Sequence, residues 1–112
     1  MSHAFTVAQL QAAFASATPP LVLDVRQTPT FHEADGLITG AVWRDPERID
    51  KWFEGLDPAR PVVVYCVHGH QVSQSCAQML GDRGLEAAFL EGGIEAWIST
   101  GGQITAKTGA AR

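Results

Sequence analysis

The hydrophobic positions of this chain form short apolar runs that alternate with stretches of helical periodicity. The runs lack the polar alternation of a strand with one exposed face, so they predict buried strands. These predicted strands lie at residues 21–25, 41–43, 62–66 and 85–90. Because buried strands interleaved with helices form parallel sheets, the pattern predicts a three-layer α/β fold with helices on both faces of the sheet.

Capping signals mark the helices in the first half of the chain. Thr6 and Gln9 have the spacing of a capping box, and the apolar residues that follow lie on one helical face. The segment TPTFHEAD predicts a short helical turn with Pro29 near its start. In RDPERIDKWFEGLD, Asp45 is placed as an N-cap and Pro46 at the first helical position, which predicts a helix over this segment.

Two helices are predicted in the second half of the chain. One covers about residues 72–81, and Gly84 is placed to end it. The apolar side chains at helical spacing along this helix are Val72, Cys76, Met79 and Leu80. The segment GGIEAWIST predicts the last helix, and its shared apolar face consists of Ile94, Trp97 and Ile98.

Composition narrows the class of protein. The chain has 112 residues, 46% of them hydrophobic and 18% charged, and no linker divides it, so we expect a single domain over residues 1–112. A formal net charge of -4 without any basic run argues against a nucleic-acid partner. No apolar stretch approaches the roughly 20 residues of a membrane helix, and the first residues lack the features of a signal peptide. Two cysteines are too few for a disulfide framework, so we expect reduced thiols and a cytoplasmic protein.

Cys66 is the candidate for chemistry, because it ends the most apolar predicted strand and a loop with Gly69 follows it. A cysteine reacts as its thiolate, whose free pKa is about 8.5. A tight glycine loop turns backbone N–H groups toward one anion, and the next helix points its positive end at the same place. The structural alternative for Cys66 is a packing cysteine at a strand end. We expect Cys76 to be a core packing residue, because it lies among the apolar residues of its helix.

The two loop histidines, His68 and His70, are open to several interpretations. With Cys66 they give a Cys-x-His-x-His spacing, which matches none of the usual zinc patterns, so we expect no metal and no cofactor. They are either exposed loop residues or weak cations and hydrogen-bond donors at the mouth of a pocket. Asp24, like Cys66, is placed at the carboxyl end of a predicted strand, the edge at which parallel sheets carry their sites.

Three blocks of the sequence, in this order, resemble the single-domain rhodanese family of sulfurtransferases: LVLDVRQTPTFHEADGLITGAVW, PVVVYCVHGHQVS and FLEGGIEAWISTGGQI. The resemblance implies a rhodanese-like fold with a central, mostly parallel, five-stranded sheet. It implies that Cys66 takes a sulfane sulfur from thiosulfate or a persulfide and passes it to a thiol, a cyanide-like acceptor or a protein. Asp24 and Arg26 would form a structural pair near the site. The loop that binds substrate would comprise Val67, His68, Gly69, His70, Gln71, Val72 and Ser73.

The chain departs from the family pattern at the loop. Members commonly place a hydroxyl residue six positions after the cysteine, whereas Ser73 is seven positions after Cys66, and residues 67–73 contain no Lys or Arg. Leu37 and Thr39 stand where His and Pro are usual. Related phosphatases and arsenate reductases hold an oxyanion with an Arg at the last loop position, where this chain has Val72, which argues against those activities.

Two further readings stay open. The missing loop cation is compatible with a non-catalytic rhodanese-fold module that binds an oxyanion or senses a partner. The wording of FHEADGLITGAVWRDPE and YCVHGHQVSQ is also similar to rhodanese-like modules associated with bacterial chromate-resistance proteins.

Overall fold

The computed structural model describes residues 3–107, and the ends of the predicted domain, residues 1–2 and 108–112, lie outside them. The strands of the described residues are His3–Phe5 (β1), Leu21–Asp24 (β2), Gly36–Ile38 (β3), Val42–Trp43 (β4), Val62–Tyr65 (β5), Ala87–Leu90 (β6) and Ile104–Ala106 (β7). The α-helices are Val7–Phe14 (α1), Thr28–Glu33 (α2), Ile49–Trp52 (α3), Gln71–Asp82 (α4) and Gly93–Ser99 (α5). A membrane-spanning helix is not found within residues 3–107.

Five of these strands form one parallel sheet, in the order β1-β6-β5-β2-β4. All four residues of the central strand β5 are buried, as expected for a parallel strand that is covered on both faces. The remaining strands, β3 and β7, form a separate antiparallel pair. The predicted α/β class, with a parallel five-stranded sheet between helices, is confirmed.

Alternate residues of β5 enter two apolar cores on opposite faces of the sheet. Val62 and Val64 belong to a core that includes Cys76, Ala77 and Leu80 of α4, and residues of α3 pack against it. The other face carries the buried side chains Leu10, Val22, Ile38, Val63, Tyr65, Leu90, Ile94 and Trp97. The sheet is therefore held from both sides, and the end of β5 is a rigid support for the residue that follows it.

The predicted strands are all present, with bounds that differ by one or two residues, but three short strands were not predicted. β1 is a three-residue edge strand directly before the capping box of Thr6, and it pairs with β6 from Ala88 to Leu90. β3 and β7 pair with each other across more than sixty residues of sequence. Such strands lack a local apolar run, because distant pairing partners stabilise them.

The helix predictions need three corrections. RDPERIDKWFEGLD forms α3 between two 3-10 turns, Pro46–Arg48 and Phe53–Gly55, and Asp45 caps the first turn by accepting a hydrogen bond from the Glu47 N–H. Ile98 is 51% exposed and Met79 is 36% exposed, so their placement on the apolar faces of α5 and α4 was wrong. Both lie toward the rim of a helix face, where a periodic sequence pattern continues past the edge of the core.

Candidate active site

Cys66 follows the last residue of β5, at the carboxyl edge of the sheet between β2 and β6. Its side chain is buried, and the thiol is free. Residues 67–70, which we call the cysteine loop, connect it to the first turn of α4. The thiol therefore lies where a strand end, a loop and a helix N-terminus meet, and parallel α/β sheets place their reactive groups at this edge.

Gly69 lets the cysteine loop turn tightly against the end of β6. Its φ is +73°, and a Cβ at this position would lie 2.6 Å from the Leu90 carbonyl oxygen and 2.6 Å from the Gly92 nitrogen. Only a residue without a side chain fits both the backbone angle and this space. The Gln74 carboxamide donates a hydrogen bond of 3.0 Å to the Gly69 carbonyl and fixes the turn from the α4 side.

The start of α5 holds the other end of the cysteine loop. The Ile94 N–H donates to the Cys66 carbonyl (3.0 Å), and the Glu95 N–H donates to the Val67 carbonyl (3.1 Å). A Cβ on Gly93 would lie 2.4 Å from both of these carbonyl oxygens. Because these carbonyls are held by α5, the loop stays in the one conformation that surrounds the thiol.

The sulfur of Cys66 is surrounded by hydrogen-bond donors. Its Sγ lies 3.2 Å from Ser73 Oγ, and Ser73 is fully buried at the start of α4. Burial raises the pKa of the Cys66 thiol, but hydrogen bonds from the Ser73 hydroxyl and from the backbone N–H groups of Ser73, His70 and Gly69 outweigh it, so the pKa is lowered. The site stabilises the thiolate, which is the reactive form of cysteine.

The second cysteine lies in a different environment. Cys76 is 3% exposed within the apolar core of α4. Burial, with a smaller contribution from the charge of Cys66, raises the pKa of Cys76 to about 11. Cys76 is therefore a neutral packing residue at physiological pH.

The histidine side chains of the cysteine loop are exposed. The ring centroids of His68 and His70 lie 6.1 Å apart, and both residues line the cavity that contains Cys66. Among residues 3–107, no group of three His, Cys, Asp or Glu side chains is arranged to hold a metal ion.

Asp24 and Arg26 form a buried ion pair at the end of β2. Arg26 Nη2 lies 2.5 Å from Asp24 Oδ2 and also donates to the Gly36 carbonyl at 2.9 Å. The Tyr65 hydroxyl donates to Asp24 and accepts from the Ile38 N–H. Burial lowers the pKa of Arg26, but the hydrogen bonds and charge of Asp24, together with smaller contributions from Tyr65, raise it by more, so the guanidinium stays charged. This network joins β2, β3 and β5 beneath the site.

A cavity of about 180 Å³, which we call the cysteine pocket, opens over Cys66. Its lining residues are Arg26, Gln27, Thr30, Cys66, Val67, His68, His70, Gln71 and Val72. Of the residues expected in or near the site, Asp24, Gly69 and Ser73 do not line the cavity, and all three are buried. Gln27 and Thr30 of the α2 region were not predicted, and no local motif marks them, since only the fold brings them beside the loop.

A larger cavity lies elsewhere among the described residues. It has a volume of about 550 Å³ and is lined by residues of α1, α5 and the segments around β3 and β7. The described lining residues are Gln11, Phe14, Thr39, Gly40, Trp97, Gly101, Gly102 and Gln103, and none of these has an ionisable side chain. The smaller cavity is the better candidate for chemistry, because it contains the activated thiol.

The structure is an α/β domain with a parallel sheet and a cysteine loop at the end of its central strand. A model of the rhodanese-like domain matches residues 6–100. The chain belongs to the rhodanese family, as the sequence motifs predicted. The likeness to chromate-resistance modules stays a prediction.

Curated relatives and solved structures agree with this assignment. The chain is 29% identical over 100 residues to thiosulfate sulfurtransferase GlpE of Pseudomonas entomophila, and the aligned region covers 89% of this chain and 90% of the relative. It is 35% identical over 78 residues to thiosulfate sulfurtransferase GlpE of Coxiella burnetii, and the aligned region covers 69% of this chain and 70% of the relative. A rhodanese-related protein from Thermoplasma volcanium shares the fold with a TM-score of 0.79 at 24% identity, over 92% of this chain and 97% of that chain.

Proposed function

We propose that this protein is a rhodanese-type sulfurtransferase in which Cys66 carries the transferred sulfur as a persulfide. The observation that carries the proposal is the position of the Cys66 sulfur among the Ser73 hydroxyl and the N–H groups of the cysteine loop, which lower its pKa. The names of the GlpE relatives, which are thiosulfate sulfurtransferases, support the same activity.

In the first half-reaction the Cys66 thiolate attacks the sulfane sulfur of the donor. A new S–S bond forms on Cys66, the donor's own bond to that sulfur breaks, and the electron pair leaves with the donor, as sulfite when the donor is thiosulfate. The product is a persulfide anion on Cys66. The N–H groups that hold the thiolate are close enough to stabilise this outer sulfur as well, because its negative charge lies only one S–S bond of about 2 Å from the original thiolate.

In the second half-reaction a nucleophile attacks the outer sulfur of the persulfide. The S–S bond breaks, the electron pair returns to Cys66 as a thiolate, and the acceptor leaves with the sulfur. A thiol acceptor becomes a persulfide, and cyanide becomes thiocyanate. Neither half-reaction requires a metal or an organic cofactor, and the protein contributes a positioned thiolate and its hydrogen-bond donors.

The charges around the cysteine pocket favour an uncharged or protein-bound persulfide as the donor. Arg26 is the one Lys or Arg side chain among the residues that line the pocket, and its guanidinium is committed to Asp24 and to the Gly36 carbonyl. His68 and His70 are the remaining basic side chains at the mouth. We propose that they donate hydrogen bonds to an anionic donor such as thiosulfate and compensate in part for the missing cation.

Phosphatase or arsenate reductase activity is a weaker candidate. Those reactions need a bidentate Arg for a tetrahedral oxyanion, and Val72 occupies the corresponding end of the loop. A non-catalytic binding module would have no use for a thiol with a lowered pKa, so the environment of Cys66 favours the enzyme. We further propose that residues 1–112 act as one domain and that the protein works in the cytoplasm, where a free thiol stays reduced.

Turnover with matched cysteine variants tests the proposal. With thiosulfate or a low-molecular-weight persulfide as donor and cyanide or dithiothreitol as acceptor, we expect activity in the wild type and none in Cys66→Ser. Cys76→Ser is the matched control, and it should retain activity while losing some stability, because Cys76 is a packing residue. Equal activity in Cys66→Ser and the wild type would overturn the proposal.

A further inference from the structure

A second cavity adjoins the cysteine pocket along α4. It has a volume of about 520 Å³, and we call it the side groove. Its lining residues are Gln27, Pro46, Glu47, Gln71, Val72, Ser75, Cys76 and Met79. Gln27, Gln71 and Val72 line both cavities, so the side groove continues directly from the space above the Cys66 sulfur.

The side groove is much larger than the sulfur-transfer step itself requires. The cysteine pocket, at about 180 Å³, has room for the reacting sulfur and a few neighbouring atoms, whereas the adjoining 520 Å³ has room for the body of a larger molecule. A nucleophile must approach the outer sulfur of the Cys66 persulfide from the open side of the cysteine pocket. The groove is therefore placed to hold the rest of the molecule that carries the nucleophile.

The chemistry of the groove is that of a surface for an extended polypeptide. Two carboxamides, Gln27 and Gln71, offer both donors and acceptors, which match the N–H and C=O groups of a peptide backbone. Val72 and Met79 supply partly exposed apolar surface, and Met79 is 36% exposed at the rim of α4. An adaptable methionine suits contact with more than one side chain.

One charged residue lines the side groove but not the cysteine pocket. Glu47 is exposed, and its carboxylate forms no ion pair with any residue from 3 to 107. Its neighbours in the groove are neutral, since the pKa of Cys76 is raised to about 11 by burial. A ligand with a positive charge beside Glu47 complements the groove, and a negative charge there is repelled.

We propose that the side groove binds the second substrate of the reaction, and that this substrate is a cysteine of a polypeptide segment with a basic side chain near the cysteine. The proposal rests on the proposed sulfurtransferase function and specifies its acceptor. The peptide thiolate attacks the outer sulfur of the Cys66 persulfide, the S–S bond to Cys66 breaks, and the peptide leaves as a cysteine persulfide while Cys66 returns to the thiolate.

Three single-cysteine peptides test the acceptor preference. They are identical except that the residues two positions before and after the cysteine are both Lys, both Gln or both Glu. The protein is first loaded with sulfur from a small donor, and loss of that sulfur from Cys66 is then followed by intact mass. We expect the Lys peptide to react about threefold faster than the Gln peptide and the Glu peptide to be slowest, as one solvent-exposed charge pair allows.

Charge reversal at Glu47 should invert this order. Glu47→Lys is expected to make the Glu peptide the fastest of the three. Glu86→Lys is the matched control, because it makes the same change in net charge at an exposed residue directly before β6, at the amino ends of the parallel strands and outside both the cysteine pocket and the side groove. Equal rates for the three peptides, or an order that Glu47→Lys leaves unchanged, would overturn the proposal. A cysteamine rate equal to that of the Lys peptide would assign the groove to a small aminothiol instead.

A binding measurement separates this proposal from the proposed function. Fluorescently labelled peptides with Ser in place of the cysteine are titrated against Cys66→Ser, and binding is followed by anisotropy. If the Lys peptide binds more tightly than the Gln and Glu peptides, and adding Glu47→Lys to Cys66→Ser abolishes this preference, the groove proposal is supported even if no sulfur loads onto the wild type. If sulfur loads but binding shows no charge preference, the sulfurtransferase function stands and the groove proposal falls.

Discussion

The Cys66 sulfur lies 3.2 Å from the Ser73 hydroxyl oxygen, seven residues further along the chain. The Ser73 hydroxyl is also 3.5 Å from the His70 carbonyl, to which it donates in the thiol form. When Cys66 ionises, the same hydroxyl is in reach to donate to the sulfur instead. Ser73 therefore links the protonation state of the thiol to the backbone of the cysteine loop.

Replacing Ser73 by Ala should make the Cys66 thiol harder to ionise. Loss of a hydrogen bond to a charged group is expected to raise the pKa of Cys66 by about one unit. At pH values below that pKa the thiolate fraction, and with it the rate of alkylation by iodoacetamide, should fall about tenfold. The measurement is the alkylation rate of Cys66 as a function of pH, with site occupancy read by mass spectrometry.

Ser99→Ala serves as the control for this prediction, because Ser99 is an exposed serine at the end of α5 whose hydroxyl donates to the Ala96 carbonyl, away from Cys66. In the wild type and in Ser99→Ala, the alkylation rate should level off at a pH below that of an ordinary thiol. Cys76, whose pKa is raised to about 11, should stay unmodified through neutral pH. An unchanged pH profile in Ser73→Ala would show that Ser73 has no role in activating the thiol.

Gly93→Ala should disrupt the cysteine loop. The new Cβ would lie 2.4 Å from the Cys66 and Val67 carbonyls, and the φ of Gly93 is +61°, so we expect a loss of about 2–4 kcal/mol of stability and most of the activity. Gly81→Ala is the matched control inside α4, where a Cβ meets no atom within 4 Å. It should raise the stability by up to about 1 kcal/mol. Urea denaturation compares the two variants, and equal stabilities would refute the close approach.

Asp24→Asn should leave the buried guanidinium of Arg26 without a counter-charge. Removing one partner of a buried ion pair costs about 3–5 kcal/mol, far more than the pair itself contributes. Arg48→Ala removes the exposed pair with Asp45, whose atoms are 3.7 Å apart, and should cost less than about 1 kcal/mol. Thermal and urea unfolding measure both. If Asp24→Asn is as stable as Arg48→Ala, the network at the end of β2 does not support the fold.

Val72→Arg should improve the use of thiosulfate. Val72 lines the cysteine pocket, and a guanidinium there would supply the positive charge that residues 67–73 lack. We expect the KM for thiosulfate to fall about tenfold, equivalent to about 1.4 kcal/mol. Val72→Gln, which adds polarity without charge, should leave KM close to the wild-type value. A KM that does not change in either variant would mean that charge does not limit thiosulfate binding.

The sequence predicted the parts of this fold that local pattern controls. The buried strand at residues 62–66 and the capping box at Thr6 are visible in adjacent residues, and each is present. β1 and the β3–β7 pair escaped prediction, because their pairing partners are remote in sequence. The fifth strand of the expected sheet, which the family resemblance implied without placing it, is β1.

The candidate site likewise combines residues that the sequence could predict with residues that only tertiary packing brings together. Cys66, its glycine loop and the following helix are continuous in sequence, and the structure brings Ser73 into contact with the sulfur despite its unusual spacing. Gln27 and Thr30 line the cysteine pocket from another element, and Gly93 holds the loop from α5. Gly93 belongs to the block FLEGGIEAWISTGGQI, which resembles the family, but its contact with the Cys66 carbonyl depends on tertiary packing and could not be read from the residues alone.

The central claim is that Cys66 carries a sulfur atom between two substrates. Its most direct test is to incubate the protein with thiosulfate or a low-molecular-weight persulfide, remove the excess donor and measure the intact mass. Peptide mapping then locates any added sulfur. We predict a mass increase of one sulfur atom on the peptide that contains Cys66, its loss on addition of an acceptor thiol, and no increase in Cys66→Ser. The absence of this sulfur from Cys66 with every donor would contradict the account.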